Sequence, residues 1–304
     1  MNNSLIINRP ENIYVPIIDE DVTLLAKVGD YVYKEGILGH TKGENKEYIF
    51  SPVSGRVKDI ISSKIYDGEV KQVKSIIIEN DYKEMLDKLT GVNKIIDNIS
   101  KEDFIKNITN YHLFDKNNIY LYVDYLNPIS TLIVNISDID YLSDFYFRNY
   151  VNEILEVLDA IVEINKIKKC YLFVNKSYKT IIKLIEQHIG TYLNIELVKV
   201  RKSLSNIDIV NKYEVDNDYH FEDTKILYNI YNVLKNNAPI LDTYIYININ
   251  NNVQYYNVKI GTKIDDLFKI LNINCDSFYI NDIFATNDKE IIIDHFINGI
   301  KIDN

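Results

Sequence analysis

Lys27-Val28-Gly29-Asp30-Tyr31-Val32, followed by Ser51-Pro52-Val53-Ser54-Gly55-Arg56-Val57, decides the fold of the N-terminal part of this chain. Each stretch reads as strand, glycine turn, strand: β-branched residues flank a Gly able to take φ > 0, and Asp30 or Ser54 can cap the turn. Around this pair, residues 13–79 alternate short β-rich runs with Gly, Pro and Asp turns. They close on the strand Ser75-Ile76-Ile77-Ile78-Glu79.

Two half-motifs of this kind specify a barrel-sandwich hybrid, the compact β-fold of biotinyl and lipoyl domains, here over residues 1–80. Carrier domains need a Lys at a hairpin tip between the half-motifs, usually within Met-Lys-Met or Asp-Lys-Ala. Lys42 and Lys46 lie in that stretch, but Gly43-Glu44-Asn45-Lys46-Glu47 offers neither context, so a solvated loop is expected. A polar helix over Asp81 to Lys88 is expected to lead away from the domain.

Beyond residue 92 the periodicity changes. Ser100-Lys101-Glu102-Asp103 resembles a capping box opening a short helix through Ile108. Thr131-Leu132-Ile133-Val134 reads as a buried strand, and Val151, Ile154, Leu155, Leu158 and Val162 recur at helical spacing. Lys169-Cys170-Tyr171-Leu172-Phe173-Val174 is the next strand, Tyr178 to His188 the next helix, and Ile195 to Val200 the strand after it. This alternation specifies a parallel sheet with crossover helices, a Rossmann-like α/β domain over residues 92–238. Leu227, Tyr228 and Tyr231, on a further helical stretch, are expected in its core.

The last part changes character again. Thr243 to Asn250 and Val253 to Val258 read as a hairpin around Asn250-Asn251-Asn252. Ile260 to Leu267 then starts a short helix, with Asp265 and Asp266 in a first turn that favours negative charge. Two strands, a helix and further strands predict a β-grasp unit over residues 239–304.

Composition limits the function. The 304 residues can hold two or three domains. A formal net charge of −10, with Lys residues spread along the sequence, argues against nucleic acid. Cys170 and Cys275 lie far apart and predict buried free thiols rather than zinc or a disulfide framework. His40, His112, His188, His220 and His295 are scattered, with no metal-ligand spacing and no Cys partner. The start of the sequence lacks a signal-peptide pattern, and no window reaches the ~20 apolar residues of a spanning helix. A cytoplasmic protein is expected.

The order of barrel-sandwich hybrid, Rossmann-like domain and β-grasp resembles the RnfC family, named for the RnfC component of the Rnf ion-pumping electron-transfer complex. It also resembles the RnfC-like proteins associated with proline reductase and the cobalamin-reductase relatives. Tyr14-Val15-Pro16-Ile17 with Lys27-Val28-Gly29-Asp30 is similar to the family's opening, though the intervening segment is short and lacks Gln-His-Ile-Gly. Ser51 to Val57 resembles its second half-motif and Leu132-Ile133-Val134-Asn135 its "LIIN" strand. Pro239-Ile240-Leu241-Asp242 resembles "PLIE", Val258-Lys259-Ile260-Gly261-Thr262 "VPIGT", and Asn298-Gly299-Ile300 the closing "NGIL". The resemblance implies a β-grasp of the soluble-ligand-binding (SLBB) kind.

The chain departs from that family where the family does its chemistry. Before the "LIIN" strand the family carries a Gly-rich flavin and nicotinamide loop, whereas Leu113-Phe114-Asp115-Lys116-Asn117-Asn118-Ile119-Tyr120 has no glycine. Of the ten glycines, seven fall at or before Gly91, and only Gly190 lies between residues 92 and 260, so the middle of the chain cannot build such a loop in its usual form. The family's acidic motif after the strand survives in part as Asn135, Asp138 and Asp140, the candidate cofactor-binding residues, with Asp144 and Arg148 following. For the acids, capping of the next helix is the favoured role. The family's iron-sulfur domain would begin about where Asn304 stands, so no cluster is expected in this sequence.

Two functional expectations follow. One is a non-catalytic docking subunit of a redox complex, with protein partners, peripheral to a membrane through them, and with no resident cofactor, catalytic residue or metal. The other is an electron-transfer subunit that keeps FMN or NADH through a remodelled loop at residues 112–120. A soluble-ligand sensor working through the β-grasp domain is a third.

Overall fold

The computed structural model describes residues 5–7, 10–19, 21–43, 46–86, 99–111, 113–114, 121–192, 194–213 and 215–303. The chain is a mixed α/β protein of two compact units. One comprises Val92–Thr109 and Leu113–Asn237; the other comprises Asn2–Gly91, Asn110–His112 and Ala238–Asn304.

The unit holding both ends of the chain starts from the barrel-sandwich hybrid. Strand Asn12–Ile17 alternates half-buried and buried residues, which puts Ile13, Val15 and Ile17 inside. It pairs with Val70–Asn80, which pairs with Gly55–Tyr66, which takes Tyr31–Val32 on its other side. A second sheet of Val22–Leu24, Ile37–Thr41 and Tyr48–Phe50 supplies Leu38 and Ile49 to the same core. The two motif glycines serve different ends. Gly29 sits at φ +94° in a turn closed by Asp30, whose carboxylate accepts the Lys27 N–H at 2.8 Å. Gly55 is not in the left-handed region; it is required by space, since a Cβ there would lie 2.0 Å from the Glu79 carbonyl oxygen.

Ser54 does not cap its own turn. Its hydroxyl donates to Asp81 at 2.6 Å and accepts the Met85 N–H at 3.0 Å. Those bonds correct the expected helix over Asp81 to Lys88. Residues 81–86 cross the domain without helical structure, with Tyr82 at φ 59°, Glu84 at φ 52° and the Met85 carbonyl accepting from Lys34. The long-range hydrogen bonds from Ser54 and Lys34 outweigh helix propensity in so short a segment. Residues 87–88 lie outside the described residues.

The hairpin of Gly55–Tyr66 and Val70–Asn80 is long enough to serve two cores. Val57, Ile76 and Ile78 belong to the hybrid core, while Tyr66 and Val70 pack with Ile245, Ile247, Phe268 and Ile300 of the C-terminal segment. Each fully buried Ile or Phe among them contributes about 1.5–3 kcal/mol. The two ends of the chain are tied further: Leu5–Ile7 runs parallel to Asn252–Lys259, and the Tyr14 N–H donates to the Gly261 carbonyl at 2.9 Å.

The C-terminal segment forms the rest of a six-stranded sheet. Asp242–Ile249 and Asn252–Lys259 make the expected hairpin, its turn residues Asn250 (φ 49°) and Asn251 (φ 67°) both left-handed, as a two-residue type I′ turn requires. Gly299–Ile302 then pairs parallel to Asp242–Ile249, followed outward by Phe278–Ile280 and Phe284–Thr286. Helix Ile264–Ile270 packs Ile264, Leu267 and Phe268 beneath.

The other unit holds a four-stranded parallel sheet ordered Ile195–Val200, Lys169–Asn175, Thr131–Ile136, Tyr219–Phe221. Helices Tyr141–Asn165 and Lys179–His188 are its crossovers, and Thr224–Asn236 packs against the first of them. The first helix breaks at Tyr150 (φ −136°, ψ 30°), where the Asn149 amide donates to the Phe145 carbonyl one turn back. Leu227 is fully buried; Tyr228 and Tyr231 are half-buried. The strand at Tyr219–Phe221 was not legible in the sequence because three residues carry too little periodicity.

Candidate functional site

In an open parallel sheet, ligands bind beyond the carboxyl ends of the strands where the strand order reverses. Here that point lies between Thr131–Ile136 and Tyr219–Phe221. It brings the end of the first strand with Asn135, and the loop after it with Asp138 and Asp140, beside the segment Glu222-Asp223.

Asn135 is half-buried and its side chain is spent on the protein itself. Its amide donates to the Leu204 carbonyl and to Asn206 Oδ1, both at 2.9 Å. Its Oδ1 accepts from the Ser137 backbone at 3.1 Å and hydroxyl at 2.8 Å. Ser137 adds an accepted bond from the Leu204 N–H at 2.9 Å. Together these bonds fasten the loop to residues 203–206. Asp140 is the N-cap of helix Tyr141–Asn165: its carboxylate accepts from the Ser143 N–H at 2.7 Å and the Ser143 hydroxyl at 3.0 Å. Asp138 is exposed beside them. Asp144 pairs with Arg148 at 2.6 Å along the same helix.

Facing this loop is a group the sequence reading missed. Glu222 is buried; its carboxylate accepts the Tyr125 hydroxyl at 2.7 Å and the Asp223 N–H at 3.0 Å, and lies 3.3 Å from His220 Nε2. Tyr125 is fully buried, and burial together with Glu222 pushes its phenol well above its ordinary pKa. Asp223 caps helix Thr224–Asn236 by accepting the Lys225 N–H at 2.8 Å. Burial, and then the neighbouring charge of Asp140, raise its carboxyl to about 6. The signal available in the sequence was Asp223 followed by a helical run, a plain N-cap pattern.

The remaining candidates are placed as follows. Leu113 is buried and its carbonyl accepts the Leu121 N–H at 2.9 Å; residues 115–120 of the glycine-free segment, and His112, lie outside the described residues. Lys42 and Lys46 are exposed at the end of the hairpin Ile37–Thr41 and Tyr48–Phe50, with Lys42 3.4 Å from Asp21. Cys170 and Cys275 are free and buried, the Cys170 thiol pushed up to about 12 by burial. Among the described residues no cluster of His, Cys, Asp or Glu is arranged to hold a metal ion, and no helix is long and apolar enough to cross a membrane.

Comparison with known proteins bears on the N-terminal domain. Residues 5–83 match the RnfC barrel sandwich hybrid domain. No curated protein matches the sequence. Among solved structures the chain resembles an NAD+-reducing NiFe-hydrogenase in its H2-reduced state, at 9% identity and a TM-score of 0.48, over 60% of this chain and 41% of that one. The air-oxidized state gives 8% and 0.46, over 64% and 47%. This chain thus spans less than half the length of those chains, and a likeness this loose assigns them nothing in common but backbone shape. The family match is thus confined to residues 5–83, which are an RnfC-type barrel-sandwich hybrid domain.

Proposed function

We propose that this protein is a docking component of an RnfC-like electron-transfer assembly, holding redox proteins together rather than carrying electrons itself. In this reading the parallel unit is a Rossmann-like domain, residues 239–304 form an SLBB-like β-grasp, and the protein works in the cytoplasm, reaching the membrane only through partners.

The observation that carries the proposal is the state of the switch-point edge. A dinucleotide or flavin brings phosphate to this edge and needs free backbone N–H groups and positive potential. The edge instead offers Asp140, Glu222 and Asp223, the last raised in pKa by burial and then by the charge of Asp140. Asn135, the amide among the candidates, is saturated by Leu204, Asn206 and Ser137. These residues fit an anionic cofactor poorly.

The competing reading, in which the chain binds FMN or NADH, draws support from the strand order, third-second-first-fourth along the chain, which dinucleotide-binding sheets share. Anaerobic titration with FMN and NADH, followed by flavin fluorescence and the visible spectrum, separates the two. The docking reading expects no binding well above micromolar concentration; tight stoichiometric binding of either would overturn it.

A further inference from the structure

The parallel sheet gathers positive charge that the linear sequence disperses. Residues 166–202 carry nine Lys or Arg against two acids, a net +7 inside a chain of net −10. The fold divides this excess between opposite ends of two strands. Lys166, Lys168 and Lys169 lie at the amino end of Lys169–Asn175. Lys176, Lys179, Arg201 and Lys202 lie just past the carboxyl ends of Lys169–Asn175 and Ile195–Val200. The second group is drawn together by register: Asn175 is opposite Val200, and the Lys176 N–H donates to the Val200 carbonyl at 2.8 Å.

All four cations of that rim are exposed, and none forms an ion pair among the described residues. By contrast Lys199, two residues before Arg201 and still within the strand, is taken by Glu186. The rim sits at the free edge of the sheet, since Ile195–Val200 is its outermost strand. Next to it, Ile207 is 73% exposed on a helix turn fixed by the Ser205–Asp208 capping box. Exposed cations followed closely in sequence by an exposed apolar side chain on a capped helix turn are the makings of a protein interface.

We infer that the rim of Lys176, Lys179, Arg201 and Lys202, with Ile207, is a docking surface for an acidic segment of a partner protein. Charge complementarity sets the partner's sign, and the neighbourhood sets its class. Asp208, held ionised by Ser205 and facing Lys202, lies on one side. Asp138 and Asp140 lie on the other, joined to the rim through the Tyr178 hydroxyl, which accepts the Ile139 N–H at 3.3 Å. A nucleic acid backbone would run onto those acids, whereas a short acidic segment can match four cations and leave them free. The inference does not depend on whether a flavin binds at the switch point, so the two readings fail separately.

The test is fluorescence anisotropy with a labelled decaglutamate peptide on the full chain at low salt, about 20 mM, where surface charge acts over roughly 20–30 Å. Wild type is expected to bind, with affinity falling as salt rises. The triple variant Lys176→Glu, Arg201→Glu, Lys202→Glu is expected to lose about tenfold or more. Lys166→Glu, Lys168→Glu, Lys169→Glu makes the same change in net charge at the far end of the sheet and is expected to stay within about twofold. The milder triple to Gln stands in if the Glu variant fails to fold. Equal loss from both triples, or no binding by wild type, refutes a localised surface. Displacement of the peptide by millimolar inorganic phosphate would mean a small-anion site instead. Tighter binding of a DNA duplex with the same residue dependence would mean a nucleic-acid surface, and either result overturns the inference.

Discussion

Replacing Asp223 with Asn should stabilise the parallel unit at neutral pH and leave it nearly unchanged in acid. In the folded protein the Asp223 carboxyl titrates near 6, against 3.8 for an unperturbed group, because it is partly buried and faces Asp140. At about 1.36 kcal/mol per pH unit, that rise corresponds to a ceiling of about 3 kcal/mol. The sign follows from which state ionises first. As pH rises from 3.8 the unfolded chain releases this proton before the folded one does, so stability falls, and it levels off above about 6. Below 3.8 both states keep the proton and the penalty is absent. Asn removes the charge and still offers an oxygen to the Lys225 N–H, so the helix cap is retained. Urea unfolding followed by circular dichroism at 222 nm suits the purpose, since among the described residues the helices of eight residues or more all lie in this unit. The gain of Asp223→Asn over wild type should grow from near zero at pH 4 to about 1–3 kcal/mol at pH 7. A difference independent of pH between 4 and 7 would refute the coupling of Asp223 to Asp140 and with it the electrostatic argument against an anionic cofactor.

Further variants test the unit that joins the chain's ends. Gly261→Ala should cost about 3 kcal/mol, because the residue sits at φ +95° and a Cβ would meet Ile13 Cγ2 at 2.8 Å and the Tyr14 carbonyl oxygen at 2.9 Å; Gly29→Ala, at φ +94° with nothing within 4 Å, should cost only about 1 kcal/mol. Equal denaturation midpoints for the two would refute close packing at Gly261. Lys259→Met should cost about 2 kcal/mol, since the buried ammonium lies 3.2 Å from Asp242 and 3.7 Å from Glu84, although water can reach both carboxylates and soften the loss; unchanged stability would mean the pairings contribute nothing.

Much of this architecture was legible because it is local. The turn at Gly29-Asp30, the type I′ hairpin at Asn250-Asn251, the strands at Thr131, Lys169 and Ile195 and the helices between them follow from dihedral freedom, alternation and 3.6-residue spacing, all of which are written in neighbouring residues. The cap at Asp140 is local too. Partnership across distance is not. Ser54 could be seen to sit in a turn but not to bond Asp81, so the sequence predicts a helix where the chain forms none. The role of Gly55 likewise depends on a strand 24 residues away, at Glu79.

At the candidate site the division is sharper. Asn135, Asp138 and Asp140 could be singled out by type and order, and the lack of glycine around Leu113 to Tyr120 is a property of the sequence alone. That Asp223 comes to face Asp140 is fixed only when the fourth strand pairs beside the first across some 85 residues of chain, and what Asn135 bonds is likewise decided at a distance, by residues 204 and 206. The basic rim is the same case: lysines scattered through the sequence become one surface because strand register sets Asn175 against Val200. Residue type and local spacing set what each segment can become; which charges meet is decided by pairing between distant strands, whose cost and reward are both tertiary.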